Sequence, residues 1–191
     1  MHNELDNIKR LDHSHYDAFV CCILTHGKIG ELAGCDGGYL KIREIIAMYT
    51  LEKCPTLGGK PKVFFIQACQ GKQLQNIYAV DTEEDAPSAR AAGLGEAMEE
   101  TLPKHSDFLL GYATVPGYVS YRSRTSGSWY IKAVYETLNE YYKSEDLLSI
   151  LTVVNNKLTG SKAPPKDPRE DTMGQVPAPV HTLRMKLYFH R

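Results

Sequence analysis

Short apolar runs alternate with amphipathic stretches along this chain, and the order of the two patterns predicts an α/β fold. Continuous apolar runs, typical of strands buried on both faces, occupy residues 18–25, 63–66 and 108–114. Helical spacing of apolar residues predicts helices over residues 4–11, 43–51, 128–142 and 146–158. A strand, a helix and a strand in that order indicate a right-handed parallel crossover. The predicted core is therefore a mostly parallel sheet covered by helices.

Turn residues and polarity define the segments between these elements. Five glycines within residues 26–38 suit a loop or tight hairpin, and they lack the spacing of a phosphate-binding loop. Residues 118–123 are aromatic and extended, while five prolines predict a loop over residues 163–179. Residues 184–189 alternate apolar and polar side chains and predict an edge strand. In the helix over 128–142 we expect one inward stripe, composed of Ile131, Val134, Tyr135, Leu138 and Tyr142.

Composition narrows the class of protein. A chain of 191 residues with 42% hydrophobic content can bury one good core, so we expect one domain. A formal charge of −1 gives no electrostatic argument for binding nucleic acid or an anionic membrane. The sequence has no membrane-length apolar run and no signal-peptide core, so we expect a cytoplasmic location. Five cysteines without a C-x-x-C pair argue against a disulfide scaffold and a zinc site.

A long segment after residue 70 lacks any strong apolar pattern. Such a stretch of about thirty residues inside a compact domain is typical of a mobile surface loop or a linker. Its centre, residues 81–88, is acidic and polar. Exposed segments of this kind concentrate proteolysis.

Candidate chemistry lies at the ends of two predicted strands. Cys69 follows the strand over 63–66, and His26 ends the strand over 18–25. The carboxyl ends of parallel strands meet at one edge of a sheet, where α/β proteins collect catalytic groups. Cys69 alone is more simply explained as a packed free cysteine. Beside His26 it gains a function, because an imidazole lowers the pKa of a thiol from about 8.5 and can protonate a leaving amine.

Backbone groups at the same edge complete the hypothesis. The N–H groups of Gly27 and Cys69 would be free of ladder bonding there and could donate to the oxyanion of a tetrahedral intermediate. A nucleophilic thiol, an acid/base imidazole and an oxyanion hole describe a cysteine peptidase.

Several short motifs along the chain carry a resemblance to a known family. Q-A-C-Q-G at residues 67–71 matches a caspase signature, with His26 lying 43 residues upstream. The other matches are H-G-x-x-G-x-x-x-G-x-D-G at 26–37, K-P-K-V-F-F-I at 60–66, D-F-L-L-G at 107–111, S-Y-R at 120–122 and G-S-W-Y at 127–130. The resemblance covers residues 1–191 and is strongest to the initiator caspases of the death-receptor branch.

The resemblance implies a caspase-like three-layer sandwich, with helices on both faces of a mostly parallel sheet. It implies one catalytic domain, with a large-subunit part (1–80), an intersubunit linker (81–106) and a small-subunit part (107–191). We expect this domain to be N-terminally truncated, without the first strands, the second pocket arginine and the recruitment prodomain. The implied activity is that of an aspartate-specific cysteine endopeptidase, made as a zymogen, with an initiator role in apoptosis.

Roles for individual residues come from the same resemblance. Cys69 is the expected nucleophile, His26 the general acid/base, and Gly27 part of the oxyanion hole. The expected substrate-binding residues are Gln67 and Arg122 for the aspartate, and Val119, Tyr121 and Trp129 for the neighbouring subsites. Maturation cleavage is expected at Asp85, which Glu83 precedes by two positions, or at Asp81.

The remaining expectations concern partners and departures from the family pattern. No cofactor or metal is expected, and the partners are protein substrates with an exposed aspartate and a second caspase, identical or not, bound through the strand over 184–189. Lys28 stands where an acidic residue is common in the family, and Arg124 where proline or threonine is frequent. The alternative function is a catalytically impaired partner that modulates a full-length initiator caspase. Retention of His26 and Cys69 favours the protease.

Overall fold

A mixed, mostly parallel sheet forms the centre of the fold. The computed structural model describes residues 1–76, 106–123, 125, 127–160 and 173–190. Among these residues, the strands of the central sheet lie side by side in the order β1 (Phe19–Leu24), β5 (Lys62–Gln67), β8 (Phe108–Tyr112) and β13 (Ala178–His181). The first three are parallel, and β13 is antiparallel to β8. The predicted strands at 18–25, 63–66 and 108–114 are confirmed.

Helices cover both faces of this sheet. In the described ranges the helices are α1 (His2–Lys9), α2 (Ile42–Ala47), α3 (Trp129–Tyr141) and α4 (Leu147–Thr159), with a 3-10 turn at Pro55–Leu57. Successive side chains of a strand point to opposite faces. Phe64 and Ile66 accordingly join a core cluster with α1 and α2, whereas Val63 and Phe65 join a second cluster with α3 and α4. This arrangement confirms the three-layer α/β architecture.

Strand β5 is the most deeply buried strand of the sheet, because it lies between two parallel neighbours and between the two helical layers. All six of its residues are buried. Its apolar run therefore carries no alternation, as expected for a strand covered on both faces.

The glycine-rich segment folds into short antiparallel strands, as the hairpin interpretation predicted. They are β2 (Gly27–Lys28), β3 (Glu31–Ala33) and β4 (Tyr39–Lys41). Gly30 adopts φ +70° at the first turn and Gly37 adopts φ +79° at the second. A side chain is strained at such φ values, which explains glycine at both positions.

Short strand pairs connect the loops above the sheet. Strand β6 (Gly71–Gln73) pairs with β9 (Gly117–Tyr118), and β10 (Arg122–Ser123) pairs with β11 (Gly127–Ser128). A third pair joins β7 (Gln75–Asn76) to β12 (Met173–Gly174).

The carboxyl-terminal strand differs from the prediction. Strand β13 lies partly inside the proline-rich segment predicted to be a loop, whereas residues 184–189 form no strand. The only neighbour of β13 among the described residues is β8, so it lies at a sheet edge, where proline is tolerated. Residues 184–189 instead pack beside α4, and the Leu187 carbonyl accepts a hydrogen bond from the Leu147 N–H at 2.8 Å. The predicted edge strand at 184–189 is wrong.

The buried face of α3 also differs from the predicted stripe. Its buried residues are Tyr130, Ala133, Val134 and Thr137. Tyr135, which was expected to face inward, is 68% exposed. Tyr130 sets this orientation, because its ring packs near Phe65 and its hydroxyl occupies the space left by Gly111.

No helix in the described ranges is both long and apolar enough to cross a lipid bilayer.

Candidate functional site

Cys69 lies just beyond the carboxyl end of β5, on the loop that leaves the sheet. Its side chain is half-buried. Its Sγ lies 3.9 Å from the Ser120 carbonyl oxygen and 3.8 Å from the Ser120 Oγ. The thiol therefore faces the segment that precedes β10 and is not enclosed in either apolar core cluster.

The backbone after His26 packs directly against the backbone of Cys69. A Cβ atom built on Gly27 would lie 2.8 Å from the Cys69 carbonyl oxygen and 3.0 Å from the Ala68 Cβ. Only glycine permits such a close approach. The structure thus brings His26-Gly27 and Cys69 to the same edge of the sheet, as the predicted parallel direction of the two strands requires.

Hydrogen bonds fix the backbone of His26 between the central sheet and the hairpin. The Thr25 N–H donates to the Gln67 carbonyl at 3.0 Å, and the His26 carbonyl accepts from the Ala33 N–H at 2.8 Å. The His26 side chain is exposed to solvent. An accessible imidazole on a fixed backbone suits a group that exchanges protons with substrate and water.

The hairpin register turns the Gly27 N–H away from the neighbouring strand β3. His26 and Ala33 form a hydrogen-bonded pair, so the next pair, Gly27 and Leu32, is of the non-hydrogen-bonded kind. The N–H groups of such a pair point away from the partner strand. The Gly27 N–H is therefore not used by β3.

Gln67 anchors the loops that surround the thiol. Its side chain is only 6% exposed. Its Nε2 donates to the Ser120 Oγ at 3.0 Å, and its Oε1 accepts from the Ser128 hydroxyl at 2.7 Å. The same Ser128 oxygen accepts from the Ile131 N–H and caps α3. Among the described residues, one N–H of the Gln67 amide has no hydrogen-bond acceptor.

Tyr121 and Trp129 form an aromatic wall beside this anchor. Their ring centroids lie 5.3 Å apart, with an interplanar angle of 33°. Burial, with a smaller contribution from the nearby Cys69, raises the pKa of the Tyr121 hydroxyl. That hydroxyl is buried and has no hydrogen-bond partner among the described residues. The two rings therefore give the wall an apolar surface that ends at the Tyr121 hydroxyl.

Arg122 presents a cation at the rim of the site. It lies in β10 directly opposite Ser128 of β11, and its side chain is exposed. Within the described ranges, no salt bridge involves Arg122.

Val119 is half-buried one residue before Ser120, and its N–H donates to the Gln73 carbonyl at 3.0 Å.

Two glutamines that the sequence did not single out organise the site. Gln175 is fully buried, accepts from the Tyr121 N–H at 2.7 Å and donates to the Ala113 carbonyl at 2.7 Å. Gln70 is 4% exposed, and its Oε1 accepts from the Gly30 N–H at 3.2 Å. The position of Gln70 inside Q-A-C-Q-G could have drawn attention to it. Gln175 lies in a proline-rich segment that carries no such signal.

The expected processing residues, Asp81 and Asp85, lie outside the described residues, as does most of the linker over 81–106.

Comparison with known proteins assigns the family. The model for the caspase domain matches residues 1–188. Caspase-8 of Rattus norvegicus is 41% identical over 191 residues, which cover 99% of this chain and 39% of the relative. Caspase-8 of Mus musculus is 39% identical over 190 residues, covering 99% of this chain and 38% of the relative. Caspase-10 of Homo sapiens is 45% identical over 126 residues, covering 64% of this chain and 23% of the relative.

The chain thus spans about two fifths of the length of the Caspase-8 relatives that it matches along almost all of its own length. The order of strands, the shared edge occupied by His26 and Cys69, and the domain match over residues 1–188 agree with one another. The chain belongs to the caspase family.

Proposed function

We propose that this chain is a cysteine endopeptidase that cleaves after aspartate, with an initiator-type role in apoptotic signalling. The observation that carries the proposal is the contact between the Gly27 backbone and the Cys69 backbone, which places a histidine and a cysteine at one sheet edge. Family membership and the similarity to Caspase-8 and Caspase-10 support the same reaction.

In the proposed reaction the Cys69 thiol transfers its proton to His26, and its sulfur attacks the carbonyl carbon of the peptide bond after aspartate. The oxyanion accepts hydrogen bonds from the N–H groups of Gly27 and Cys69. When the C–N bond breaks, His26 donates the proton to the leaving amine. A water molecule, deprotonated by His26, then hydrolyses the thioester, which releases the acid product and restores the thiol.

Recognition of the aspartate side chain is assigned to Gln67 and Arg122. A guanidinium can bind a carboxylate through two parallel hydrogen bonds. Arg122 has no carboxylate partner among the described residues, and the Gln67 amide has a free N–H. Val119, Tyr121 and Trp129 would border the adjoining subsites.

Maturation and assembly complete the proposal. Cleavage within the linker over 81–106, at Asp85 or else at Asp81, would separate a large part (1–80) from a small part (107–191). Protein substrates and dimerisation are general features of the family. We place the dimer contact at the edge of β13 that has no neighbouring strand among the described residues, because β8 covers the other edge. We also place the protein in the cytoplasm.

Hydrolysis of fluorogenic tetrapeptides tests the activity. The full chain should release the fluorophore from a peptide ending in aspartate and not from the matched peptide ending in asparagine. Cys69→Ala should abolish this release, and a salt that promotes dimers should raise it in the unchanged chain. A folded chain that is silent with and without the salt contradicts the proposed activity and favours the modulator, which is then tested by mixing the chain with a full-length initiator caspase.

A further inference from the structure

An open cleft lies beside the candidate site. Most of its lining comes from the two segments that follow the proposed catalytic residues along the chain, and Gly117, which pairs with Gly71, completes it. Lys28, Ile29 and Glu31 come from the hairpin after His26-Gly27, and Gly71, Lys72 and Gln73 come from the loop after Cys69. None of these residues has a role in the proposed recognition of aspartate.

The position of the cleft assigns it to one half of the substrate. The residues proposed to bind the substrate before the cut are Gln67, which bonds to Ser120, and residues of the segment over 119–129, which faces the Cys69 sulfur through Ser120. The backbone carbonyl of Cys69 packs against Gly27, from which the hairpin wall of the cleft begins. A peptide that crosses Cys69 therefore leaves the aspartate side and enters this cleft with the residues that follow the cut.

The cleft carries an excess of positive charge. The Lys28 Nζ pairs with the Glu31 Oε2 at 2.8 Å. The hydrogen bond from Lys28 holds the pKa of Glu31 below its ordinary value, with smaller contributions from Lys41 and Arg43. The exposed Lys72, by contrast, pairs with no described carboxylate. Two lysines and one carboxylate therefore line the cleft, which leaves one positive charge in excess.

A buried polar side chain supports the cleft from beneath. Gln70 fixes the hairpin through the Gly30 N–H, and its backbone bonds to both Gly117 and Tyr118. Its Nε2 is buried and has no hydrogen-bond partner among the described residues. Gln70 therefore ties the hairpin to the segment over 117–118 at the border of the cleft.

We propose that this cleft binds the leaving-group side of the substrate and favours acidic residues two and three positions after the cut. The inference rests on the proposed function, because it assumes that a peptide crosses Cys69. An exposed ion pair changes affinity by a factor of about three, and added salt weakens it by screening.

Paired peptides test the inference. They share one sequence up to the cleaved aspartate and differ only at the second and third residues after it, which are Glu-Glu or Lys-Lys. Binding is measured by fluorescence anisotropy with the full Cys69→Ala chain, so the result does not depend on turnover. We expect the Glu-Glu peptide to bind about threefold to tenfold more tightly at low salt.

Charge reversal in the cleft provides the decisive variant. In the Cys69→Ala background, Lys28→Glu combined with Lys72→Glu should remove or invert the preference. Lys53→Glu combined with Lys143→Glu, at two exposed sites outside the cleft lining, reverses the same number of charges and should keep the preference. Equal affinities, tighter binding of the Lys-Lys peptide, binding of neither peptide, or a preference that survives the double reversal would overturn the inference.

Turnover separates this inference from the proposed function. If the unchanged chain cleaves both peptides equally and binding shows no preference, the protease proposal survives and the inference fails. If it cleaves neither peptide while the Cys69→Ala chain still prefers Glu-Glu, the protease proposal fails and the cleft retains its assigned charge preference.

Discussion

Replacing Gly27 by alanine tests the contact on which the candidate site depends. The added Cβ would lie 2.8 Å from two carbonyl oxygens, those of Cys69 and Glu31. Both are backbone atoms in hydrogen-bonded segments, so no flexible side chain can move away. The two segments must separate by about half an ångström before the contact becomes an ordinary one.

The magnitude of the effect follows from that displacement. Overpacking against fixed neighbours costs about 1–3 kcal/mol, so we expect the free energy of unfolding to fall by that amount. A misplacement of 1 Å at a reacting centre can cost about 100-fold in rate. A shift of about half that size should therefore lower kcat/KM by about tenfold, because Gly27 and Cys69 supply the proposed oxyanion donors.

Urea unfolding and peptide hydrolysis, measured side by side, provide the assay. Gly160→Ala is the matched control, because its Cβ would lie 3.7 Å from the nearest atom and its backbone is already helical. That control should keep its activity and should gain up to about 1 kcal/mol of stability. A Gly27→Ala chain with unchanged stability and unchanged kcat/KM would refute the tight approach of the two backbones.

Three further predictions follow from other parts of the fold. The Arg184 guanidinium binds the buried carboxylate of Asp107 through two hydrogen bonds and holds its pKa below the ordinary value. The ion pair stabilises the fold by about 1 kcal/mol; this stabilisation is complete above about pH 5 and is lost as the pH falls through the folded-state pKa of Asp107. In Asp107→Asn the free energy of unfolding should therefore fall less steeply as the pH is lowered, which gives a flatter acid limb in a plot of stability against pH. Leu24 is 58% exposed on the edge strand β1, and Leu24→Lys should reduce concentration-dependent light scattering while changing the stability by less than about 0.5 kcal/mol. Gln175→Leu leaves the Tyr121 N–H without its acceptor, so it should lower the stability by about 1–3 kcal/mol and raise KM more than it lowers kcat.

The same three predictions have distinct contradicting results. An acid limb equally steep in Asp107→Asn would show that other carboxylates dominate acid unfolding. Unchanged scattering by Leu24→Lys would show that the edge of β1 does not drive self-association. A loss of kcat alone in Gln175→Leu would place the effect on the chemical step and not on substrate binding.

Sequence and structure agree most closely where a local pattern leaves one solution. The apolar run at 63–66 is long enough for a strand and too short for a membrane span, and it becomes the fully buried β5. Helix α4 buries Leu147, Ile150, Leu151, Val154 and Leu158, the residues that helical spacing places on one stripe. Because parallel strands end at one edge, the positions of His26 and Cys69 after two strands were sufficient to bring them together.

Sequence-based prediction and structure disagree where the outcome depends on residues that are distant along the chain. The face that α3 buries depends on the space that Gly111, on another strand, leaves for the Tyr130 hydroxyl. Nothing in the helix itself carries that information, so the predicted stripe included Tyr135. The same limit applies to Gln175, whose two hydrogen-bond partners lie more than fifty residues away along the chain.

The sequence by itself determined the class of fold, the positions of the buried strands along the chain, the family resemblance and the cysteine and histidine at one sheet edge. It did so because periodicity, turn residues and short motifs are local properties of a chain. Only the tertiary structure decided that the last strand is Ala178–His181 and not residues 184–189. The alternation of apolar and polar side chains favoured residues 184–189. Residues 178–181 form the strand instead, because they pair with β8 at a sheet edge, where the missing N–H of proline is tolerated.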